Sequence, residues 1–193
     1  MLSPRARNGL VAAVLTAALA ATTAAPAIGA TPYRAKGAER YALSLLNCTR
    51  TGGWVTAKGA CRARGTGKFS AKRPTLKRSK GISTKVAWRW ARTLTSAETC
   101  GHVLPGEPLL GQRLATAGYR DYFYGENVGC SWGGRTPKEA VLASHRAMQA
   151  EKSYKGGHWL NMKEKGFKSV GIGVASGNGR TTVVYDFYAK RPY

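Results

Sequence analysis

The stretch KSVGIGVASGNGRTTVVYDFY, residues 168–188, decides the fold of this 193-residue chain. Its two apolar runs, 168–175 and 180–188, are rich in β-branched and aromatic residues, which favour strands. The four residues between them, SGNG at 176–179, are typical of a tight turn. The sequence therefore predicts an antiparallel hairpin near the C-terminus. A third strand is predicted at 121–128 (DYFYGENV), which is also aromatic.

Helical patterns precede these strands. Thr136-Pro137-Lys138-Glu139 is a capping box with proline at the first helical position, and it predicts a helix that runs to about Glu151. Short helices are predicted at 40–46 and at 109–117, the second stopped by Gly118. Helices that alternate with late antiparallel strands indicate a sheet covered by helices.

One helix stands out by its apolar spacing. Ser83 is expected to cap a helix that continues to residue 98. Its core face should consist of six residues at helical spacing: Val86, Ala87, Trp90, Ala91, Leu94 and Ala97. This face should pack on the sheet.

Residues 1–30 are interpreted as a secretory signal peptide. Arg5 and Arg7 form a positive start, and the apolar run 9–21 is too short to span a bilayer comfortably. Small residues then lead to Ala27 and Ala30, either of which could precede the cleavage site. A membrane anchor is the alternative, but no second apolar stretch of spanning length follows. We therefore expect a secreted protein with no transmembrane segment in the mature chain.

The four cysteines fit an exported protein. An even number of cysteines in an oxidising compartment predicts two disulfides, and three pairings are possible. We favour Cys48–Cys61, which closes a short glycine-rich loop, together with Cys100–Cys130. Zinc ligation by these residues is not expected, because the sequence has no CxxC pair.

The charge is strongly positive. The chain has 31 Lys and Arg against 9 Asp and Glu, for a net charge of +22. Residues 58–92 hold twelve of these cations and no acid, and 58–80 should be a loop or an extended surface segment. A solvated face without a dedicated partner is one interpretation of this surface. The other is an anionic partner, for which an envelope polymer or lipid is favoured over nucleic acid in a secreted protein. The mature chain is expected to form one globular domain, which spans about 39–190. Its first part is a basic segment, 31–81, and its core is 82–193.

Two imidazoles and two carboxylates carry the candidate chemistry: His102, Glu126, Glu151 and His158. If they converge in one cleft, they could hold a divalent cation or transfer protons. Taken singly, each could instead be a hydrogen-bonded structural residue. The sequence contains no HExxH, P-loop or GxGxxG motif. We expect any catalysis to be metal-assisted or of the general acid–base type.

The order of several short motifs resembles the CAP superfamily, which comprises cysteine-rich secretory proteins, antigen 5, pathogenesis-related proteins and bacterial SCP-like relatives. The resemblance runs from about Glu39 to Tyr188. Its motifs, after a helix that ends near His102, are Ala117-Gly118-Tyr119, Gly125-Glu126-Asn127, Gly157-His158-Trp159-Leu160-Asn161 and Gly171-Ile172-Gly173-Val174. The resemblance implies an α+β fold, a three-layer α-β-α sandwich with a mainly antiparallel central sheet.

The resemblance also implies a function. The family's cleft tetrad falls on His102, Glu126, Glu151 and His158, with His102 and His158 as candidate ligands of a zinc ion. A monomeric effector module that binds a ligand or divalent cation, at or outside the cell envelope, is favoured over a peptidase-like metal-dependent hydrolase. His145 falls where many bacterial members place an aromatic residue. We expect it to be a half-buried packing residue, with a third imidazole near the cleft as the alternative.

Overall fold

The terminal hairpin lies at the centre of the fold. The structure, a computed structural model, describes residues 31–120 and 122–190, so the expected signal peptide lies outside the described residues. Strands β6 (Ser169–Gly177) and β7 (Arg180–Lys190) pair antiparallel around the predicted turn. Strand β5 (Tyr122–Ser131) pairs antiparallel with the other side of β7 over its whole length. These three strands form most of the sheet.

Short strands complete the sheet at its other edge. Strand β1 (Tyr33–Arg34) pairs antiparallel with the C-terminal end of β6. Strand β4 (Lys77–Arg78) pairs parallel with the start of β6. The strand order is β1-β6-β7-β5, which leaves β5 as an edge strand. A separate pair, β2 (Trp54–Val55) and β3 (Cys61–Arg62), lies in the basic segment.

The helices enclose the sheet. They are α1 (Lys36–Arg50), α2 (Lys80–Ile82), a π-helical turn (Ser83–Ala87), α3 (Trp88–Ser96), α4 (Leu110–Thr116), α5 (Pro137–Ala150), a 3-10 turn (Glu151–Tyr154) and α6 (Gly157–Lys163). The predicted capping box starts α5, with Pro137 at its first position. Helix α6 was not expected, since it begins with a glycine and a histidine, which are weak helix formers.

The sheet buries both faces. Alternate residues of β6, namely Val170, Ile172 and Val174, pack with α1, α5 and α6 on one face. Ala175 and Val184 pack with α3 on the other. The architecture is therefore a three-layer α-β-α sandwich, and the predicted α+β fold class is confirmed.

Glycines on β6 let the second layer approach closely. A Cβ atom on Gly173 would lie 2.3 Å from the backbone of Ala87, and one on Gly171 would lie 2.3 Å from the side chain of Ile82. Side chains at these two positions would push α2, the π-helical turn and α3 away from the sheet.

The start of this helical segment differs from the prediction. Ser79, not Ser83, caps it, because the Ser79 Oγ accepts a hydrogen bond of 3.2 Å from the Ile82 backbone N–H. Ser83 is buried inside the segment, where its Oγ accepts from the Ile172 backbone N–H at 3.0 Å. The expected core face is buried except at Ala97, which lies beyond the end of α3 and is exposed.

Two disulfides join the elements. Cys48–Cys61 links α1 to β3, and Cys100–Cys130 links the loop after α3 to β5. These are the favoured pairs. Within residues 31–120 and 122–190, no helix is long and apolar enough to cross a bilayer.

Candidate functional site

A cleft of about 290 Å³ lies at the β5 edge of the sheet, where the two helical layers meet. His102 and Glu126 approach it from the loop after α3 and from β5, whereas Glu151 and His158 approach it from the end of α5 and from α6. The structure thus brings the four predicted residues to one cleft. The ring centroids of His102 and His158 are 6.2 Å apart.

The first pair is anchored by a buried carboxylate. His102 Nδ1 lies 2.9 Å from Glu126 Oε1, with the His102 side chain 51% exposed and that of Glu126 only 5%. The Arg113 guanidinium donates to the second oxygen, Oε2, and also stacks 4.0 Å from the centroid of the Trp90 ring. Sequence analysis missed Arg113, because an arginine in a short helix is ordinarily solvated. Its buried charge offsets that of Glu126.

In the second pair, Glu151 both contacts the His158 ring and caps helix α6. His158 Nδ1 lies 2.5 Å from Glu151 Oε1. The other oxygen, Glu151 Oε2, accepts from the backbone N–H groups of His158 at 2.9 Å and of Trp159 at 3.4 Å. These are free donors of the first turn of α6, which a carboxylate satisfies well. Glu151 therefore orients His158 and stabilises the helix that carries it.

Only one of the two glycines before His158 allows a close approach. A Cβ atom on Gly156 would lie 2.5 Å from Glu151 Oε2, whereas one on Gly157 would meet nothing within 4 Å. Gly156 thus lets the Glu151 carboxylate reach α6.

Two asparagines connect the halves of the cleft. The Asn127 side-chain amide donates to the His158 carbonyl at 3.0 Å. The Asn161 amide donates to the Asn127 Oδ1 at 2.9 Å and to the Glu126 carbonyl at 3.1 Å. These bonds tie β5 to α6. They explain, in this chain, why GEN and GHWLN lie at the same site.

A third carboxyl group lies behind the cleft. Asp186 on β7 is fully buried and lies opposite Glu126 in the sheet register. Burial, followed by the nearby Glu126 carboxylate, raises the pKa of Asp186 well above its usual range, although Arg113 acts in the opposite direction. Burial therefore favours the protonated, uncharged form of Asp186. The sequence did contain a signal for this group. Asp186 is a carboxylic acid at an inward-facing strand position, on the same face as Val184 and Tyr188.

The third histidine does not reach the cleft. His145 on α5 is fully buried, not half-buried as expected, and its Nε2 lies 2.9 Å from the Thr49 hydroxyl of α1. Because that hydroxyl donates its proton to Gln149 at 3.1 Å, the Nε2–H of His145 donates to the Thr49 oxygen. Burial lowers the pKa of His145 to about 3. Its role is to join α1 to α5.

The donor set of the cleft limits what it can bind. Within the described residues, 31–120 and 122–190, no group of three or more His, Cys, Asp or Glu side chains is arranged to hold a metal ion. The cleft offers two imidazoles whose Nδ1 atoms are held by carboxylates. Each ring has its Nε2 as the remaining nitrogen. The site could therefore supply two nitrogen ligands to one ion.

Some cations hold the basic segment, 31–81, within the fold. The Lys163 ammonium donates to the carbonyls of Thr49, Arg50 and Ala71, and burial lowers its pKa to about 8. The Arg50 guanidinium is buried and donates to the carbonyl of Met162 at 2.8 Å. The exposed lysines at 72, 77 and 80 are better placed to meet an anionic partner.

Two solved structures share this fold. An extracellular protein from Bacillus anthracis that contains an SCP domain is 19% identical, with a TM-score of 0.57 over 80% of this chain. This chain spans only 41% of that protein. NaASP2, solved with Zn²⁺, is 17% identical, with a TM-score of 0.51 over 80% of each chain. No family model and no curated protein matches. The likeness shows the fold: this chain has the fold of CAP and SCP domains, as its motif order indicates.

Proposed function

We propose that this protein is a secreted binding module of the CAP type, which holds a divalent cation, in the first instance zinc, between His102 and His158. The observation that carries the proposal is the pairing of each imidazole Nδ1 with its own carboxylate, at 2.9 Å for Glu126 and 2.5 Å for Glu151. The two rings lie 6.2 Å apart in one cleft.

A carboxylate on Nδ1 prepares a histidine for metal binding. Such a bond fixes the ring orientation and the tautomer with hydrogen on Nδ1, so that the Nε2 lone pair is free. Zinc binds imidazole nitrogen at about 2.0–2.1 Å and prefers four ligands. With two imidazoles, water would complete the set. The presence of Zn²⁺ in the NaASP2 structure, which shares the fold, supports zinc as the first ion to test.

Secretion is the second part of the proposal. Residues 1–30 have the pattern of a signal peptide, and both disulfides are of the kind that persists in oxidising compartments. A fold neighbour is an extracellular protein. We place the protein at or outside the cell envelope, where the exposed lysines at 72, 77 and 80 would contact an anionic polymer or lipid.

A metal-dependent hydrolase is the second candidate, and no specific observation favours it over binding. Catalytic zinc usually has three protein ligands and an open position. The two carboxylates of this cleft are already engaged, Glu126 by His102 and Arg113 and Glu151 by the start of α6. We therefore rank binding above hydrolysis.

Nitrogen NMR of the three histidines tests the proposal. With ¹⁵N-labelled histidine, the rings of His102 and His158 should carry hydrogen on Nδ1, and zinc should shift their Nε2 resonances. His145 is a built-in control, because it is buried and carries hydrogen on Nε2. Zinc should leave its resonances unchanged. Unshifted Nε2 resonances at both His102 and His158 would refute the proposal.

A further inference from the structure

A second groove, of about 280 Å³, lies between α3 and the segment that leads into and through α4. Four basic residues line it: Lys85, Arg89, Arg92 and Arg113. Glu107 is the acidic residue among those that line it. The groove therefore carries an excess of positive charge, of which only Arg113 also serves the cation site.

The outer cations of the groove are exposed and, among the described residues, unpaired with any acid. Lys85, Arg89 and Arg92 are exposed on successive turns of the π-helical turn and α3. In the described part of the chain, none of the three forms an ion pair. Like charges one turn apart repel one another and destabilise a helix. A bound anion would offset this repulsion.

The inner wall of the groove contains unsatisfied donors. Trp90 is 2% exposed, and the Arg113 side chain is 9% exposed. Trp90 Nε1 and Arg113 Nε are buried and have no hydrogen-bond acceptor among the described residues. A buried donor without an acceptor is costly and uncommon. An acceptor supplied by a ligand would account for both.

We propose that this groove binds a compact anion with closely spaced phosphate groups, which Arg89 and Arg92 contact first. Guanidinium groups match phosphate oxygens in paired, charge-assisted hydrogen bonds. The volume lies at the lower end of the range for ligand pockets, which suits a diphosphate group better than a long polymer. The cation site and this groove share one residue, since Arg113 also holds Glu126.

Calorimetric titration with inorganic pyrophosphate tests the groove. The groove variant is R89Q/R92Q, and the matched control is K138Q/R146Q, which removes two exposed cations from α5 on the opposite layer. We expect the groove variant to bind at least tenfold more weakly than the wild type and the control to stay within twofold. Binding should weaken as salt screens the charges. Equal weakening in both variants would mean general charge attraction and would overturn the proposal.

The Trp90 indole locates the ligand, and a second probe identifies its source. In ¹⁵N spectra the five tryptophans give separate indole signals, and pyrophosphate should shift that of Trp90 more than those of Trp132 and Trp159. Vesicles with a lipid whose headgroup is a diphosphate form the other arm. Vesicle binding that R89Q/R92Q alone abolishes assigns the phosphate to a lipid headgroup, whereas binding of pyrophosphate alone assigns it to a soluble ligand. If neither probe binds the wild type better than R89Q/R92Q, the groove is not a phosphate site.

Discussion

Glu126 and Asp186 lie directly opposite each other on β5 and β7, and only Glu126 has a hydrogen-bonded cationic partner. Both Asp186 oxygens are buried without a partner among the described residues. The two carboxyl groups therefore behave differently. Glu126 pairs with Arg113 and supports His102, whereas burial favours the protonated form of Asp186 inside the second layer.

The substitution D186N should remove a pH dependence of stability. Because burial raises the pKa of Asp186 in the folded state, the folded protein holds a proton that the unfolded chain releases above about pH 4. The wild type should therefore lose up to about 1.4 kcal/mol of its unfolding free energy per pH unit above that point. Asn carries no such proton. Urea unfolding at pH 5 and pH 7 should show a smaller loss in D186N, and equal losses would contradict the protonated state.

Gly173→Ala should separate the second layer from the sheet. The added Cβ would lie 2.3 Å from the Ala87 backbone, which cannot move aside as a side chain can. We expect a loss of about 3 kcal/mol in unfolding free energy. Gly37→Ala in α1 is the control, because nothing lies within 4 Å of its Cβ position, and it should be neutral or stabilising by less than about 1 kcal/mol. Similar effects of both substitutions would show that close packing is not the reason for Gly173.

The two disulfides should differ in their effect on the cation site. Either C48A/C61A or C100A/C130A should cost roughly 3 kcal/mol of stability, since each opens a loop of the unfolded chain. Only Cys100–Cys130 fixes the loop that carries His102, two residues away, to β5. Calorimetry should show weaker zinc binding for C100A/C130A than for C48A/C61A. Equal zinc affinities would mean that the disulfide does not position His102.

Charge reversal should identify the surface that meets anionic partners. The variant K72E/K77E/K80E should elute from an anionic polymer column at much lower salt than the wild type. At physiological salt, opposite charges attract strongly only within about 8 Å, so the residues that contact the polymer should govern retention. The control K138E/R146E/K165E makes the same change in net charge at other exposed positions. If both triple variants elute alike, net charge alone governs retention.

The sequence was sufficient for features with strong local signals. The turn at 176–179, the capping box at Thr136 and the stop at Gly118 were predicted because they depend on backbone preferences within a few residues. The error at Ser83 has a related reason. Two serines precede the same apolar pattern, and the choice of Ser79 as cap depends on the contact of Ser83 with β6.

The partners of the candidate site residues were not visible in the sequence. Arg113 and Asp186 meet Glu126 only because α4 and β7 pack beside β5. His145 looked half-buried on its own helix, but its burial is completed by Thr49 of α1, 96 residues away in sequence. Each of these contacts is long-range. The short motifs alone could place four residues in order, but not their neighbours.

Calorimetric titration of zinc into the wild type and into H102A/H158A tests the central claim most directly. The wild type should bind one zinc ion per chain, and affinity should fall on acidification because protons compete for imidazole nitrogen. The double variant should keep the thermal unfolding transition of the fold and lose zinc binding, since both side chains lie at the cleft surface. A folded H102A/H158A variant that binds zinc as tightly as the wild type would contradict the account.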